Sequence, residues 1–273
     1  MKLKNIFLAA LMFATTLVQA QLVGRTTAVV ISEHNEVAKK PNRFVLGVEF
    51  GSDFMTGSFL SDKWDVRQNV SHFGWSHGGS LFADANSFYF GIKPEFIFCN
   101  ERWSVASGLR YRSMNNMLRH SGFQTNFFYL RYDDNSMNTK YARVRGISEN
   151  YQFLGIPLEL KWIPFRFPNP NFNVHLIAGT DVYFRLDSNV EIDFVNDFMK
   201  AEQATILDFV GVETNSIFAR AYFGFGASHT FENGMKLSAD LLFPTILTKN
   251  NSALMQLENH VALQFSFQFP LSK

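Results

Sequence analysis

The sequence predicts an all-β protein, a closed antiparallel up-and-down transmembrane β-barrel of eight strands. Eight segments alternate between apolar and polar residues with the period of two that is typical of half-buried strands. The connections between these segments alternate between short and long. The chain of 273 residues contains 31 phenylalanines, yet beyond its start it has no apolar run near the ~18 residues that a membrane-spanning helix needs.

The start of the chain predicts an exported protein. Lys2 and Lys4 precede an apolar stretch at 6–18, and Ala20 is the small residue after which a signal peptidase cuts. We therefore divide the chain into a signal peptide at 1–20, a periplasmic lead-in at 21–42 and a barrel at 43–273. With 25 basic and 24 acidic residues, the chain lacks the basic excess of a nucleic-acid-binding protein.

Each predicted strand places an apolar face opposite a polar face. In the first strand, Phe44, Leu46 and Val48 share one face, whereas Gly47 and Glu49 lie on the other. The predicted strands span residues 43–51, 87–98, 103–112, 152–162, 172–185, 218–230, 235–243 and 260–271.

The connections favour a membrane barrel over a soluble β-sandwich, which is the alternative. Residues 99–102, 163–171 and 232–234 form the short links, and the intervening links are long. Barrels of the bacterial outer membrane join their strands by short periplasmic turns and long outer loops in this way. Rows of phenylalanine suit lipid, whereas in water they would promote aggregation. Aromatic residues at the short-turn ends of the strands are typical of an interfacial girdle, and they are Phe98, Trp103, Trp162 and Phe172.

Two features complicate the strand pattern. Pro94 and Pro157 lie inside predicted strands and are interpreted as β-bulges, because proline cannot donate a ladder hydrogen bond. Residues 123–132 and 140–147 predict an extra hairpin. This hairpin either extends the barrel beyond the membrane or raises the strand count to ten.

The long loops carry weaker patterns. Val190, Ile192 and Phe194 continue the alternation of the fifth strand, on the face of Phe184, and residues 196–209 predict a short amphipathic helix. Aromatic residues of the first long loop are interpreted as loop packing, with a binding surface as the alternative, and they are Trp64, Phe73, Trp75 and Phe82.

The polar faces predict a lumen filled with charges of both signs. An eight-stranded barrel is just wide enough inside for side chains to fill it, and buried charges should pair because an unpaired one is costly. We interpret these charges as a plug, with a selective conduction path as the alternative. They are Glu49, Arg110, Asp181, Arg185 and Arg220 toward the long-loop end, and Lys93, Glu95, Glu159, Lys161, His175, Lys236 and Asp240 at mid-depth or toward the short-turn end.

Residues with a pattern typical of catalysis are sparse. If the Pro-rich turn pairs the fourth and fifth strands symmetrically, Glu159 lies opposite His175 to within one or two residues. Such a pair can orient a nucleophile, but no serine motif accompanies it, so a neutralised lumen pair is the preferred interpretation. The histidines and Cys99 lack the spacing of a metal site. We therefore predict no catalytic, cofactor-binding or metal-ligating residue.

Three segments resemble the PorT-like family of outer-membrane β-barrels. Residues 152–161 are similar to a strand of that family in which Ile-Pro-Leu is followed by a lysine, and residues 90–95 and the terminal Phe-x-Phe-x-Phe run at 265–269 are similar to it too. The resemblance covers most of the mature chain and implies a small outer-membrane barrel of the porin type. The founding member of the family is associated with type IX protein secretion, whereas most relatives have no assigned role.

Together these patterns predict a non-enzymatic outer-membrane barrel of a Gram-negative bacterium, acting through its extracellular loops as a structural, interaction or assembly component. Its expected partners are outer-membrane lipid and proteins that reach the loops, without nucleic acid or cofactors, and it is expected to be a monomer. A small solute pore and an accessory barrel of a protein secretion system are the alternatives, and an outer-membrane hydrolase is a remote one.

Overall fold

The computed structural model describes residues 42–68, 80–121, 127–132, 140–165, 167–211, 213–249 and 251–270. The predicted signal peptide and all but the last residue of the predicted lead-in lie outside these ranges. Strands make up most of the described chain, together with a 3-10 turn at Asp197–Glu202 and a helix, α1, at Gln203–Val210. Among the described residues, no helix is both long and apolar enough to cross a membrane.

Most of the strands are longer than their predicted segments, chiefly at their long-loop ends. For example, the first predicted strand ended at Gly51, whereas the observed strand continues to Phe59. The strands are β1 (Arg43–Phe59), β2 (Val66–Gln68), β3 (Ser80–Phe98), β4 (Trp103–Ser107), β5 (Leu109–Ser121), β6 (Phe128–Arg131), β7 (Tyr141–Trp162), β8 (Phe172–Phe194), β9 (Ile217–Thr230), β10 (Lys236–Ile246) and β11 (Met255–Pro270).

Eight long strands form a closed antiparallel ring. β4 and β5 together act as one strand between β3 and β7, and β7 to β11 then pair in chain order. The ring closes where β1 pairs with β11, from Val45 opposite Pro270 to Phe59 opposite Met255. Closure removes the free edges of the first and last strands, and the predicted all-β, up-and-down barrel architecture is confirmed.

The extra hairpin is present, but it lies beside the ring. β6 pairs with the first residues of β7, where Phe128 lies opposite Val144, and β2 pairs with β6. β5 occupies the same edge of β7 only from Gly146 onward. The ring formed by the described residues therefore contains eight strands rather than ten, and the hairpin extends one wall at the long-loop end.

The predicted bulges at Pro94 and Pro157 are wrong. Strand pairing keeps its register on both sides of each proline. The strand between them is instead interrupted at Gly108, which by register lies opposite Pro157 and follows the residue opposite Pro94, and neither proline has an N–H to donate. The register shifts that do occur lie at Thr56/Gly57 in β1 and at Val144/Gly146 and Gln152/Phe153 in β7.

Nearer the short turns, the ring has apolar outward faces and a polar interior. We call this region the belt; on β7 it comprises residues 154–162. Its exposed outward side chains are Leu46, Val48, Phe50, Phe88, Phe90, Ile92, Leu109, Ile156, Leu158, Leu160, Leu176, Phe184, Phe223, Phe225, Phe265 and Phe267.

Toward the long loops, the polarity of the two faces is reversed. We call this region the extension; it comprises residues 113–121 of β5, 141–152 of β7 and 187–194 of β8, together with β2, β6 and α1. Outward positions such as Ser113, Asn150 and Glu191 are polar and exposed. The interior is an apolar core, hereafter the extension core, of Trp64, Leu118, Phe128, Leu130, Ala142, Val144, Ile147, Ile192, Phe194, Ile206 and Leu254.

Part of the predicted loop structure needs correction. Val190, Ile192 and Phe194 do extend the fifth predicted strand, but they face the interior rather than the side of Phe184. The register shift opposite Gln152/Phe153 inserts one residue into β8, which moves every later side chain to the other face. The predicted helix is present as the 3-10 turn and α1.

The aromatic residues of the first long loop separate. Trp64 is buried in the extension core, where its Nε1 donates a 2.8 Å hydrogen bond to the carbonyl oxygen of Ala253, as loop packing predicts. Phe82 is half exposed on β3, and Phe73 and Trp75 lie outside the described residues.

Candidate functional site

The inward side chains of the belt meet in one buried, charge-balanced group. Alternation along the strands points them into a lumen that only side chains can fill, so each becomes almost fully buried. We call this group the central network; its four cations are Lys93, Arg110, Arg112 and Arg220, and its four carboxylates are those of Glu49, Asp53, Glu159 and Asp181.

Arg110 lies at the centre of the network and contacts three carboxylates. Its Nε donates to Glu49 at 2.6 Å, its Nη1 to Asp181 at 2.9 Å and its Nη2 to Glu159 at 3.0 Å. The guanidinium also lies over the Tyr89 ring, 4.6 Å from the ring centroid. All three nitrogens of this planar group therefore have partners, which is the condition for burying a charge at tolerable cost.

Asp53 and Asp181 connect Arg110 to the two arginines on its long-loop side. Arg220 donates from Nε to Asp181 at 2.7 Å and from Nη1 to Asp53 at 2.9 Å. Arg112 Nη1 lies 2.5 Å from the other oxygen of Asp53. The carboxylates thus alternate with the guanidinium groups across the width of the lumen.

Lys93 closes the network on its short-turn side. Its Nζ lies 2.6 Å from Glu49 and 2.6 Å from Glu159, so both carboxylates are shared with Arg110. Tyr222 donates to Glu159 at 2.9 Å, and Gln264 accepts a hydrogen bond from Arg110. These neutral side chains form hydrogen bonds with carboxylate and guanidinium groups in addition to the ion pairs.

A second, smaller group of the predicted lumen residues lies nearer the short turns. Asp240 accepts a hydrogen bond from His175 Nε2 at 2.8 Å, and Lys161 Nζ lies 3.5 Å from its other oxygen. Glu95 is buried and contacts Gln268. Lys236 is half-buried and makes no ion pair with any described residue.

Two predictions about the lumen were wrong. Glu159 lies opposite Gly179, not His175, because β8 begins pairing with β7 only at Leu176, after its first four residues have paired with β9 alone. This stagger comes from the tilt of barrel strands, which a symmetric turn ignores. Arg185 is half-buried, lies over the Tyr151 ring, contacts Thr214 and takes no part in the central network.

The sequence prediction also omitted residues of the network. Asp53 was missed because the first strand was ended at Gly51, although the same alternation continued for another two residues would have placed it inside. Arg112 ends the predicted strand at 103–112 and shares the parity of Arg110, but it was not included among the predicted lumen charges. The lumen-facing tyrosines Tyr89 and Tyr222 carried no signal beyond their parity.

An apolar layer covers the central network on its long-loop side. It consists of Met55, Ala85, Met114, Tyr151, Phe153, Tyr183, Phe218 and Met255. Above it, the loop before β11 folds inward, and Glu149 accepts hydrogen bonds from Ser252 Oγ and the Ala253 backbone N–H, both at 2.6 Å. Charges, rings and loop thus fill the lumen in succession.

The four residues predicted for an aromatic girdle all lie at the short-turn ends of strands. Trp103 lies opposite Trp162, and the two rings stack with their centroids 5.6 Å apart. Phe98 is paired with Trp103, and Phe172 packs against Phe167. The turn between Phe98 and Trp103 is tight, since Cys99, Asn100 and Glu101 all have positive φ.

Within the described residues, His175 contacts a carboxylate but no nucleophile. A general base must contact a nucleophile, yet His175 Nδ1 has no hydrogen-bond partner among the described residues while Nε2 is held by Asp240. In the described part of the chain, no three His, Cys, Asp or Glu side chains are grouped to hold a metal ion.

Comparison with known proteins finds no matching family model and no matching curated sequence. Solved structures with some likeness include the attachment invasion locus protein Ail of Yersinia pestis, at 7% identity and a TM-score of 0.30, covering 84% of this chain and 96% of Ail. They also include the transport unit of the autotransporter AIDA-I from Escherichia coli, at 8% identity and a TM-score of 0.25, covering 93% of this chain and 97% of that unit. An outer membrane channel from Pseudomonas putida F1 shows 11% identity and a TM-score of 0.26, covering 88% of this chain and 100% of the channel. TM-scores this low assign neither a fold nor a role to this chain.

Proposed function

We propose that this chain is a non-enzymatic outer-membrane β-barrel that does not conduct solutes and that acts through its extension as a structural, interaction or assembly component. The belt supports the membrane location. Its outward side chains, such as Phe90 and Leu158, are about half exposed, and lipid would cover them. A closed ring also gives each of its strands a hydrogen-bonded neighbour on both sides, as a bilayer requires.

The filled lumen is the observation that carries this proposal. Arg110, Arg112 and Arg220 are fully buried among four carboxylates, and the apolar layer lies directly above them. A conducting pore needs a continuous water-filled path, whereas here an ion would have to displace paired charges and then packed rings. Because the lumen is filled, it offers no continuous path, and the extension is the part of the barrel that remains available to contact partners.

Long loops face the cell exterior in outer-membrane barrels, so the extension would face outward. Two exposed aromatic side chains lie at this end, Phe209 on α1 of the extension and Phe198 on the adjoining 3-10 turn. Aromatic residues in a polar setting are favoured contact residues for protein partners. We further propose that the chain is a monomer and belongs to the PorT-like family, on the strength of the resembling segments at 90–95, 152–161 and 265–269.

Planar-bilayer conductance tests the proposal. The wild-type barrel should give no steady current, whereas Arg110→Ala combined with Arg220→Ala should admit small ions because it removes two of the four cations of the central network. The matched control is Arg119→Ala with Arg145→Ala, which removes two exposed arginines of the extension and should leave the barrel silent.

A steady current through the wild-type barrel would contradict the plug and support a pore. A large, stable, ion-selective wild-type current that the lumen substitutions merely retune would overturn the proposal in favour of the solute-pore alternative.

A further inference from the structure

A cavity of about 190 Å³ opens at the short-turn end of the barrel, apart from the central network. Glu95, Lys161, His175 and Lys236 line it from β3, β7, β8 and β10, and Arg43 and Arg102 lie around it. Pockets for drug-sized ligands are about 300–1,000 Å³, so this cavity suits a small ion or molecule.

Three residues that line the cavity each have a buried polar atom without a hydrogen-bond partner among the described residues. These atoms are Lys161 Nζ, His175 Nδ1 and Glu95 Oε1, on side chains that are between 1% and 3% exposed. Lys161 has only its ion pair with Asp240 at 3.5 Å. Because buried polar groups are normally paired, three such atoms on residues that line one cavity indicate a ligand with matching chemistry.

The unpaired atoms call for a ligand that both accepts and donates. Lys161 Nζ can only donate, and the Glu95 carboxylate can only accept. Asp240 accepts from His175 Nε2, which fixes the proton there and leaves Nδ1 of the neutral ring as a second acceptor. A ligand that only accepts hydrogen bonds would leave Glu95 and His175 unsatisfied.

The charge around the cavity favours an anion. Four cationic side chains line it, Arg43, Arg102, Lys161 and Lys236, against the two carboxylates of Glu95 and Glu101. Arg43 pairs with Glu101 at 2.9 Å, whereas Lys236 has no ion pair within the described chain. Even after Asp240 is counted against Lys161, a positive excess remains.

We infer that this cavity binds inorganic hydrogen phosphate from the aqueous phase at the short-turn end. Phosphate oxygens would accept from Lys161 and Lys236, and the phosphate O–H would donate to Glu95 or His175. Sulfate has the same shape but carries no proton at neutral pH, so it cannot make the last bond. A phosphodiester lipid headgroup lacks that proton too, and it is bulkier.

Isothermal titration calorimetry of the full mature barrel in a phosphate-free maltoside detergent tests the inference. At constant ionic strength we expect saturable binding of one inorganic phosphate per barrel, and binding of sulfate and of glycerophosphocholine that is at least about tenfold weaker, the loss expected for one charge-assisted hydrogen bond.

Three substitutions and one control link that binding to the cavity. Lys236→Met and Lys161→Met should each weaken phosphate binding about tenfold or more, and the half-buried Lys236 gives a test even if Lys161→Met does not fold. Glu95→Gln should reduce the preference for phosphate over sulfate, since an amide can donate to either anion. Lys249→Met, an exposed lysine at the opposite end, should change nothing.

Four results would overturn the inference. They are the absence of phosphate binding by the wild type, unchanged binding by both lysine variants, sulfate binding as tight as phosphate binding, and tighter binding of the phosphodiester than of free phosphate.

Discussion

The belt and the extension are built from the same strands, yet the belt has apolar side chains outside and polar ones inside, whereas the extension has the reverse. On β7, Ile156 and Leu158 face outward and are 52% and 51% exposed, while Glu159 is inside. Farther along the same strand, Asn150 faces outward and Ile147 is fully buried. Both regions use the same strand with the same two-residue period. The medium outside the barrel, lipid or water, therefore decides which face is apolar.

Strand length agrees with this division. A tilted strand crosses a bilayer in about 9–11 residues, whereas β7 has 22. Roughly half of β7 must therefore stand in water, and there it follows the rules of a soluble β-protein, with an apolar core under a polar surface.

The first prediction concerns the interior of the belt. Arg110→Ala should lower the free energy of unfolding by about 3–5 kcal/mol, because it leaves the carboxylates of Glu49, Glu159 and Asp181 short of a partner. Urea titration of the barrel folded into lipid vesicles measures the change.

The control for this prediction is an exposed ion pair on the same strand. Arg119→Ala removes a contact to Asp84 at 3.4 Å in which both side chains are about half exposed, so the loss should stay within about 1 kcal/mol. Equal losses for the two variants would show that the lumen charges are solvated rather than buried.

The second prediction concerns the interior of the extension. Ile147→Ala should cost about 2–5 kcal/mol, as other large-to-small changes in packed cores do, because Ile147 lies in the extension core. Hydrogen exchange should then show lost protection in residues 141–152 and retained protection in 154–162. The outward control Asn150→Ala should have little effect, and uniform loss along β7 would mean that the two regions unfold as one unit.

The third prediction concerns the outer surface of the two regions. Phe223→Arg and Leu241→Arg place a charge on the lipid side of the belt and should each cost about 2–4 kcal/mol near mid-membrane. Asn150→Arg places the same charge on the outward face of the extension and should stay within about 0.5 kcal/mol. Tolerance of Phe223→Arg in a vesicle folding titration would place β9 outside the lipid.

The fourth and smallest effect concerns pH in the extension. Burial raises the pKa of Glu149 above its ordinary 4.5, against the opposing hydrogen bonds from Ser252, Asn116 and the Ala253 backbone N–H. The folded state then holds its proton to higher pH than the unfolded chain does. Its contribution to stability is therefore full below pH 4.5 and declines as the pH rises through the raised pKa.

Exchange of the backbone amides at 251–255, corrected for intrinsic rates, should thus show more opening as the pH rises from 4.5. Glu149→Gln should remove this dependence, whereas Glu191→Gln, an exposed outward position, should preserve it. A dependence that survives Glu149→Gln would assign it to another group.

The strand faces of the belt could be predicted from the sequence, because one medium outside and one inside impose a single alternation. That is why Glu49, Lys93, Glu159 and Asp181 were placed toward a common interior. Which of these charges pair with one another could not be predicted. Pairing across the lumen depends on the relative register of different strands, and the alternation within a single strand does not encode that register.

The extension was harder to predict for a physical reason. A single inserted residue in β8 exchanges its two faces, so Val190 and Ile192 kept the expected period while taking the opposite side. In the extension, the inward face becomes the apolar one because water replaces lipid outside the barrel. The inserted residue changes which positions point inward at the same place, so apolar and polar residues still alternate without a break. The sequence of β8 therefore looks like one continuous lipid-facing strand.

The pairing of β1 with β11 has a consequence for how the protein is made. Val45 and Pro270 are neighbours in the ring, although nearly the whole barrel sequence lies between them. The ring cannot close until the last strand has been synthesised and delivered, and every earlier state exposes two unpaired strand edges. Bringing such distant residues together is slow, so a partly assembled sheet persists long enough to pair with a wrong chain. A chain cut before Met255 would keep seven strands of the ring, but its two edge strands would stay unpaired. Addition of the final sixteen-residue strand is therefore the step that protects the newly made protein from pairing with other chains.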